Sequence, residues 1–433
     1  MSLGRGFRAL WSANAASNLA DGLAFVSMPL LATTLTDDPR LVAGLATMYA
    51  LVRLVVALPI GVWVDRIDRR TLMVAANLLR GLVVIVLAVA TQFEVGGLAV
   101  LYAVFAVVGT LESAADNAAV ALVPSLVQPG ELDRANGRIS AAQLVADEFA
   151  GPPLGGFLFA LAAAAPIFAM GGLWAAAGTI ALALPVRGLT GGTGPSAPAR
   201  PSMLREAAVG ARWLAGNRTV GGLAVIGALA SVGYMLPFSI LVLFAEDQLG
   251  VDAFGYGLIL AGSALGGLLG SFTTARVRAR IGYRWTIVIS LLTGAGSLFA
   301  LSTTTSGPVA AVLLAVYMLH AVVWGICATS IRQRLVPDSL RGRVNAAARV
   351  LGLLGLAIGS AVGGVLAVVD LALPVAIGGA VFLACALGAA LVVPRDDSEA
   401  DGGRTGPNAG GSDTQVHPDR PAPQVATTTI SRG

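Results

Sequence analysis

Charge is scarce in this chain, and lysine is missing altogether. Only 12% of its 433 residues are Asp, Glu, Lys or Arg, about half the ~25% of a soluble domain. That leaves too little polar surface to cover a water-facing globule of this size. All 28 basic residues are arginine; no physical role in a membrane fold demands this, and it reads as a compositional bias. Histidine occurs only as His320 and His417, and no second donor stands at a suitable spacing from His320, so no metal site is legible. The two cysteines, Cys327 and Cys385, lie inside apolar runs and read as buried and unpaired. No G-x-x-x-x-G-K-[ST] run occurs, which excludes an ATP-driven pump at the level of motif. With no hydrolase or nucleotide signature either, the chain does not read as an enzyme, and no cofactor is expected.

What is present is hydrophobic sequence: 56% of the residues are apolar and the mean hydropathy is +0.80. The apolar runs fall at roughly 9–35, 41–63, 71–91, 97–123, 137–162, 167–186, 219–245, 253–275, 285–303, 308–332, 345–369 and 372–393. Most approach the ~20 residues that a helix needs to cross a ~30 Å hydrocarbon core. The expected fold class is therefore an all-α polytopic membrane protein with twelve transmembrane helices. Arg5 and Arg8 precede the first run as they would in a leader, but Asn14, Asn18 and Asp21 interrupt it, and a first membrane span fits better. Arginines crowd the loops of one side: 66–70, Arg134, 187–218, 276–284, Arg341, Arg343 and Arg395. The other loops hold Asp37, Asp38, Glu94, Glu246, Asp247, Asp252 and Asp370, with Arg40 as their one arginine. By the positive-inside rule both termini are cytoplasmic and the span count is even. This asymmetry makes the net charge of +4 a topological signal, with no nucleic-acid partner implied.

The chain also repeats itself. A shift of about 209 residues carries Gly61 to Gly270, Arg134 to Arg343 and Asn136 to Asn345, and sets 151–156 (GPPLGG) against 359–364 (GSAVGG). The expectation is two six-helix pseudo-repeats, 1–186 and 219–393, with the substrate site between them near the midplane. Residues 187–200 read as a flexible linker, and 201–217 as an amphipathic helix on the membrane face. The tail, 394–433, has no apolar period and is expected to be disordered.

The segment 61–70, GVWVDRIDRR, sits between the second and third runs. Its Gly61, Asp65, Arg66, Arg69 and Arg70 resemble the loop 2–3 signature of the major facilitator superfamily. In the second half Thr274 and Ala275 stand where Asp65 and Arg66 do, so only the first loop carries the full cluster. Residues 151–156 resemble the span-5 signature of antiporter branches, with Asp147 where the longer signature has a glycine. Together with 124–137 (PSLVQPGELDRANG), the N-terminal half resembles the bacterial branch of macrolide-efflux and enterobactin-exporter-like carriers. The resemblance covers roughly 7–393. It implies proton-driven export of an amphipathic small molecule across a bacterial inner membrane, with the proton gradient as energy source and a monomer as working unit. It also implies gating roles for the loop cluster and for Gly151, Pro152, Gly155 and Gly156.

Acids inside apolar runs are costly and mark function. Asn14, Asn18, Asp21 and Phe25 share one stripe of the first span, facing either a cavity or a packed neighbour. Glu112 and Asp116 lie one turn apart, where they can take up a proton or pair with Arg53 or Arg80. Asp147 and Glu148 precede the Gly-Pro run; Asp147 shares a face with Gly151 and Gly155, which favours a helix contact over ligand binding. All these acids belong to the first half, and their counterparts under the repeat are uncharged. The second half offers Tyr234, Phe238, His320 and Trp324 as a pocket wall or as packing. Competing readings are a lipid or lysophospholipid carrier, a nutrient importer, or a non-transporting scaffold or sensor. The intramembrane acids argue against the last.

Overall fold

The computed structural model describes residues 3–185 and 203–394, and for 57–66 and 203–207 the backbone alone. The expected linker 187–200 lies outside the described residues, as does all but the first residue of the expected tail 394–433. The first six membrane helices are α1 (Arg5–Thr33), α2 (Pro39–Arg66), α3 (Arg69–Gln92), α4 (Leu98–Leu126), α5 (Pro129–Leu161) and α6 (Ala164–Ala181). An amphipathic linker helix, Met203–Gly216, precedes α7 (Arg218–Phe238), α8 (Ala253–Thr303), α9 (Gly307–Leu335), α10 (Arg341–Ala367) and α11 (Ala372–Val392). No strand occurs among the described residues. Large apolar side chains stay exposed around the bundle, Val120 at 73% and Leu391 at 76% among them, as lipid contact allows and water does not.

Eleven helices are thus long and apolar enough to span a bilayer, where the sequence suggests twelve. The difference is α8. A straight helix of its 51 residues would run ~76 Å, over twice the hydrocarbon thickness. Gly282 breaks it with φ 74° and ψ 172°, a region open in practice to glycine alone. Both resulting arms, 253–281 and 283–303, pack against α9: Gly266 and Gly270 meet Ala315 and Leu319, and Gly294 meets His320. Each arm is long enough to cross by itself, which restores two six-helix sets. Gly282→Ala is expected to lower stability by about 1–3 kcal/mol, read as a lower melting temperature in detergent with helix content unchanged.

Caps fix the other boundaries. Asp68, in the charged run after α2, accepts a hydrogen bond from the Thr71 amide (2.9 Å) and starts α3. Asn217 and Asp252 do the same for α7 and α8. The seventh apolar run was expected to continue to 245; instead the helix ends at Phe238 beyond Pro237, and a π-helical turn, Phe244–Gln248, follows. Between α1 and α2, the Arg40 amide and guanidinium both donate to the Asp38 carboxylate (2.7–3.1 Å), and that pairing holds the Asp38 carboxyl below its ordinary pKa. The one arginine on the acidic side is thereby neutralised, so it does not blunt the charge asymmetry.

The two sets meet along a pseudo-symmetric seam. Gly155 packs on Leu23 and Ser27 within the first set while Gly156 meets Ala253 of the second. In the repeat, Gly363 packs on Leu236 and Ser239 while Gly364 meets Arg40 and Ala43 of the first set. The Thr47 and Ser360 hydroxyls bond across the seam at 2.8 Å. α2 with α10 and α5 with α8 carry this join, at the ends nearest the acidic loops. At the arginine-rich end α4 makes no comparable packing against α9 or α10. The space between the sets is therefore closed toward the acidic loops and open toward the arginine-rich face.

Candidate functional site

Four helices of the first set converge on one polar network. Arg80 on α3 has no exposed surface. Its Nη2 holds the Asp21 carboxylate of α1 and stands 3.9 Å from Glu112 Oε2 of α4. Its Nη1 donates to Ser17 Oγ at 3.2 Å, and its planar face lies 4.1 Å from the Trp174 ring centroid of α6. That stacking suits a guanidinium, which is more weakly hydrated than an ammonium. On the other side of Glu112, the Tyr49 hydroxyl donates to Oε1 at 2.6 Å. Arg53 Nη1 donates to the Tyr49 oxygen at 2.9 Å and lies 3.5 Å from the same Glu112 oxygen. The chain Arg53–Tyr49–Glu112–Arg80–Asp21 thus couples α2, α4, α3 and α1.

This network forms one wall of a cavity of about 360 Å³ between the two sets, within the range of small-molecule sites. Asn18, Asp21, Phe25, Arg53, Glu112, Asp116 and Asp147 line it from the first set, and Tyr234 and Phe238 from the second. Asp147 sits in a π-helical turn, Leu144–Ala150, inside α5; such turns redirect side chains and recur at functional sites. Here the helix contact expected of Asp147 is made by its backbone: a methyl on Gly22 would lie 2.6 Å from the Asp147 carbonyl oxygen. Its side chain lines the cavity instead. Neither Asp116 nor Asp147 makes an ion pair among the described residues. On the cavity wall four carboxylates therefore face one guanidinium, that of Arg53, with Arg80 behind the wall on Asp21.

Several expected residues lie elsewhere. Arg80 stands behind the wall and acts through Asp21 and Glu112. Glu148 is exposed and does not line the cavity, and Asn14 is buried, its backbone carbonyl accepting from Asn18 (2.7 Å). His320 and Trp324 line a separate recess of about 160 Å³. Cys327 and Cys385 are buried and free. Of the loop cluster, only the backbone is described for Gly61, Asp65 and Arg66. Arg69 donates to the Ala121 carbonyl (2.9 Å) and Arg70 to that of Leu182, ties within the first set that brace its arginine-rich rim. Gly151 and Gly155 pack on α1, while Pro152 and Gly156 reach α8 across the seam.

Sequence reading missed Tyr49, Phe105, Gln143 and Tyr256, all on the cavity wall. Tyr49 was findable, one helical turn before Arg53. Tyr49→Phe removes the hydroxyl that bridges Arg53 and Glu112. A bond to a charged group is worth about 1.5–3 kcal/mol, so gradient-driven flux is expected to fall roughly tenfold or more, measured in everted vesicles at matched protein levels. A larger crevice of about 670 Å³ lies between the linker helix, α7 and α10. Its wall is apolar with Arg218 as its one charged group, so it holds no convergent chemistry.

A family model described as "Transmembrane secretion effector" matches residues 4–420. Among curated proteins, no sequence matches at a significant level. Solved structures match over nearly their whole length. A bacterial homologue of the iron transporter ferroportin, captured inward-facing, is 19% identical with a TM-score of 0.69, covering 90% of this chain and 98% of that one. A nucleoside transporter is 13% identical with a TM-score of 0.70, covering 90% and 99%. A bacterial homologue of the human lysosomal transporter Spinster, inward-facing and unoccupied, is 16% identical with a TM-score of 0.64, covering 89% and 94%. At these identities the likeness is one of fold.

Proposed function

Since the chain belongs to the transmembrane secretion effector family of the major facilitator superfamily, we propose that it is a secondary active exporter of amphipathic small molecules, driven by proton entry. The observation that carries this reading is the cavity between the two six-helix sets, open to one face and walled by Asp21, Glu112, Asp116 and Asp147 against Arg53, with Arg80 behind the wall on Asp21. An unpaired carboxylate in a low-dielectric site is costly unless it meets a proton or a cation. Surplus acids therefore favour loading from one side and release to the other as the site changes exposure. Glu148, Arg349, Tyr49, Tyr234 and Tyr256 are the other titratable groups near them. The halves 1–186 and 219–393 would rock about the seam, and by the positive-inside rule the open face is cytoplasmic in a bacterial inner membrane. One protomer contains the whole site, which supports a monomer, and no cofactor besides the proton gradient is needed.

The test is uptake of a dye and drug panel into everted vesicles under an imposed pH gradient, with and without a protonophore. Asp21→Asn and Glu112→Gln are each expected to leave downhill flux in place while abolishing its response to the gradient. Full gradient-driven uptake by both variants would exclude the reading. Import of a nutrient by the same fold would show as gradient-driven flux of the opposite sign.

A further inference from the structure

The recess that holds His320 and Trp324 adjoins the cavity at Tyr234. Its lining is almost wholly apolar, from Gly227, Ala230, Ala321, Trp324, Leu356 and Phe382. Tyr234 is the one side chain that lines both this recess and the acidic cavity. It is half-buried, stacks on Phe238 with centroids 4.4 Å apart, and its hydroxyl makes no hydrogen bond among the described residues. Its ring contacts are with two other rings, Phe238 and Tyr317. Tyr317, His320 and Phe382 continue the aromatic cluster into the second set, with ring centroids 4.5–5.6 Å apart. One side of Tyr234 thus faces surplus carboxylate, and the other faces an aromatic and aliphatic hollow.

We propose that the substrate is a two-part organic cation, its positive head held by the carboxylates of the central cavity and its apolar tail in the recess beyond Tyr234, which sets the length of tail admitted. This rests on the transport reading above and names the chemical class that its site selects. The cation answers the excess of acid over arginine. The tail answers a hollow next to that site whose walls offer dispersion and ring contacts but almost no polar surface. An anionic substrate would meet the wrong field, and a compact polar one would leave the recess unfilled.

The experiment uses the purified full-length protein in a nonionic detergent. The probes are (4-bromophenyl)alkyl-trimethylammonium ions with one to six methylenes, and their neutral tert-butyl isosteres. Bromine quenches tryptophan at short range, so Trp324 reports arrival of the tail. Affinity is expected to rise about fourfold per methylene until the recess is full, as for burial of CH₂. The cations should bind at least tenfold tighter than the isosteres, and the quenching should be lost in Trp324→Phe. Tyr234→Ala should extend the gain to longer tails, and Ala321→Phe, which fills the recess, should remove it. Both variants meet the same micelle as the wild type, so partitioning cancels. Equal binding of the isosteres, an affinity series no steeper than that of Ala321→Phe, or quenching unaltered in Trp324→Phe would overturn the proposal. Those failures leave the exporter reading intact as long as the vesicle panel shows gradient-driven efflux. Absence of such flux would remove the exporter reading whatever the probes do.

Discussion

Replacing Arg80 with alanine is expected to abolish transport and to destabilise the protein by about 3–5 kcal/mol, the usual cost of stripping a buried charge of its partner. Arg80 has no exposed surface, and its guanidinium is shared by Asp21, Ser17 and the Trp174 ring. Without it Asp21 and Glu112 are left in one place with only Arg53, at the far side of Glu112, to balance them. Arg80→Lys should recover little, because an ammonium can neither lie flat on Trp174 nor reach Asp21 and Ser17 from one rigid fork. The double variant Asp21→Asn, Arg80→Gln removes both charges together and is expected to regain most of the stability but none of the gradient coupling. Thermal unfolding in detergent and flux in proteoliposomes measure the two effects separately. A single Arg80→Ala variant that melts and transports as the wild type does would show that the network is not the structural and functional centre of the first set.

The second large effect is expected at the seam. Thr47 and Ser360 touch only because α2 and α10 are closed against each other near the acidic loops, their hydroxyls 2.8 Å apart. Cysteines at these two positions, in a background with Cys327 and Cys385 replaced by alanine, should form a bridge on mild oxidation. Because the bridge holds that face shut, transport should stop, and a reductant should restore it. Gly364→Leu acts in the opposite direction. A Cβ there would already stand 2.8 Å from the Ala43 methyl and 2.9 Å from the Arg40 Cα. Overpacking of this kind costs roughly 1–3 kcal/mol, enough to shift a two-state equilibrium about five- to 150-fold. The rate of bridge formation in a Gly364→Leu background should fall by a comparable factor. If the bridge forms readily and transport continues at its usual rate, the seam is not what opens and closes.

Much of the architecture was legible because its cause is local. Apolar runs of membrane-crossing length and a 209-residue self-similarity give the helices and the two matching halves, since each follows from composition along a short stretch of chain. The glycines of 151–156 and 359–364 were recognisable as close-approach points for the same reason. α8 shows the limit. Two apolar runs were visible, but that a single glycine with positive φ joins them with no intervening loop depends on how both arms pack on α9.

The site divides along the same line. Sequence by itself determined that carboxylates lie at membrane depth, that they belong to the first half, and that Glu112 and Asp116, one turn apart, share a face. Only the tertiary structure decided which of them share a cavity. Asp147 lines it from a π-helical turn of α5, and Arg80 withdraws behind Asp21 to stack on a tryptophan ninety-four residues away. Tyr49 enters as the bridge between Arg53 and Glu112, and Tyr234 becomes the wall between an acidic chamber and an apolar one. Periodicity fixes the direction of a side chain around its own helix axis. The rotation and tilt of that axis against its neighbours come from packing with residues far off in the chain, and these settle which faces meet.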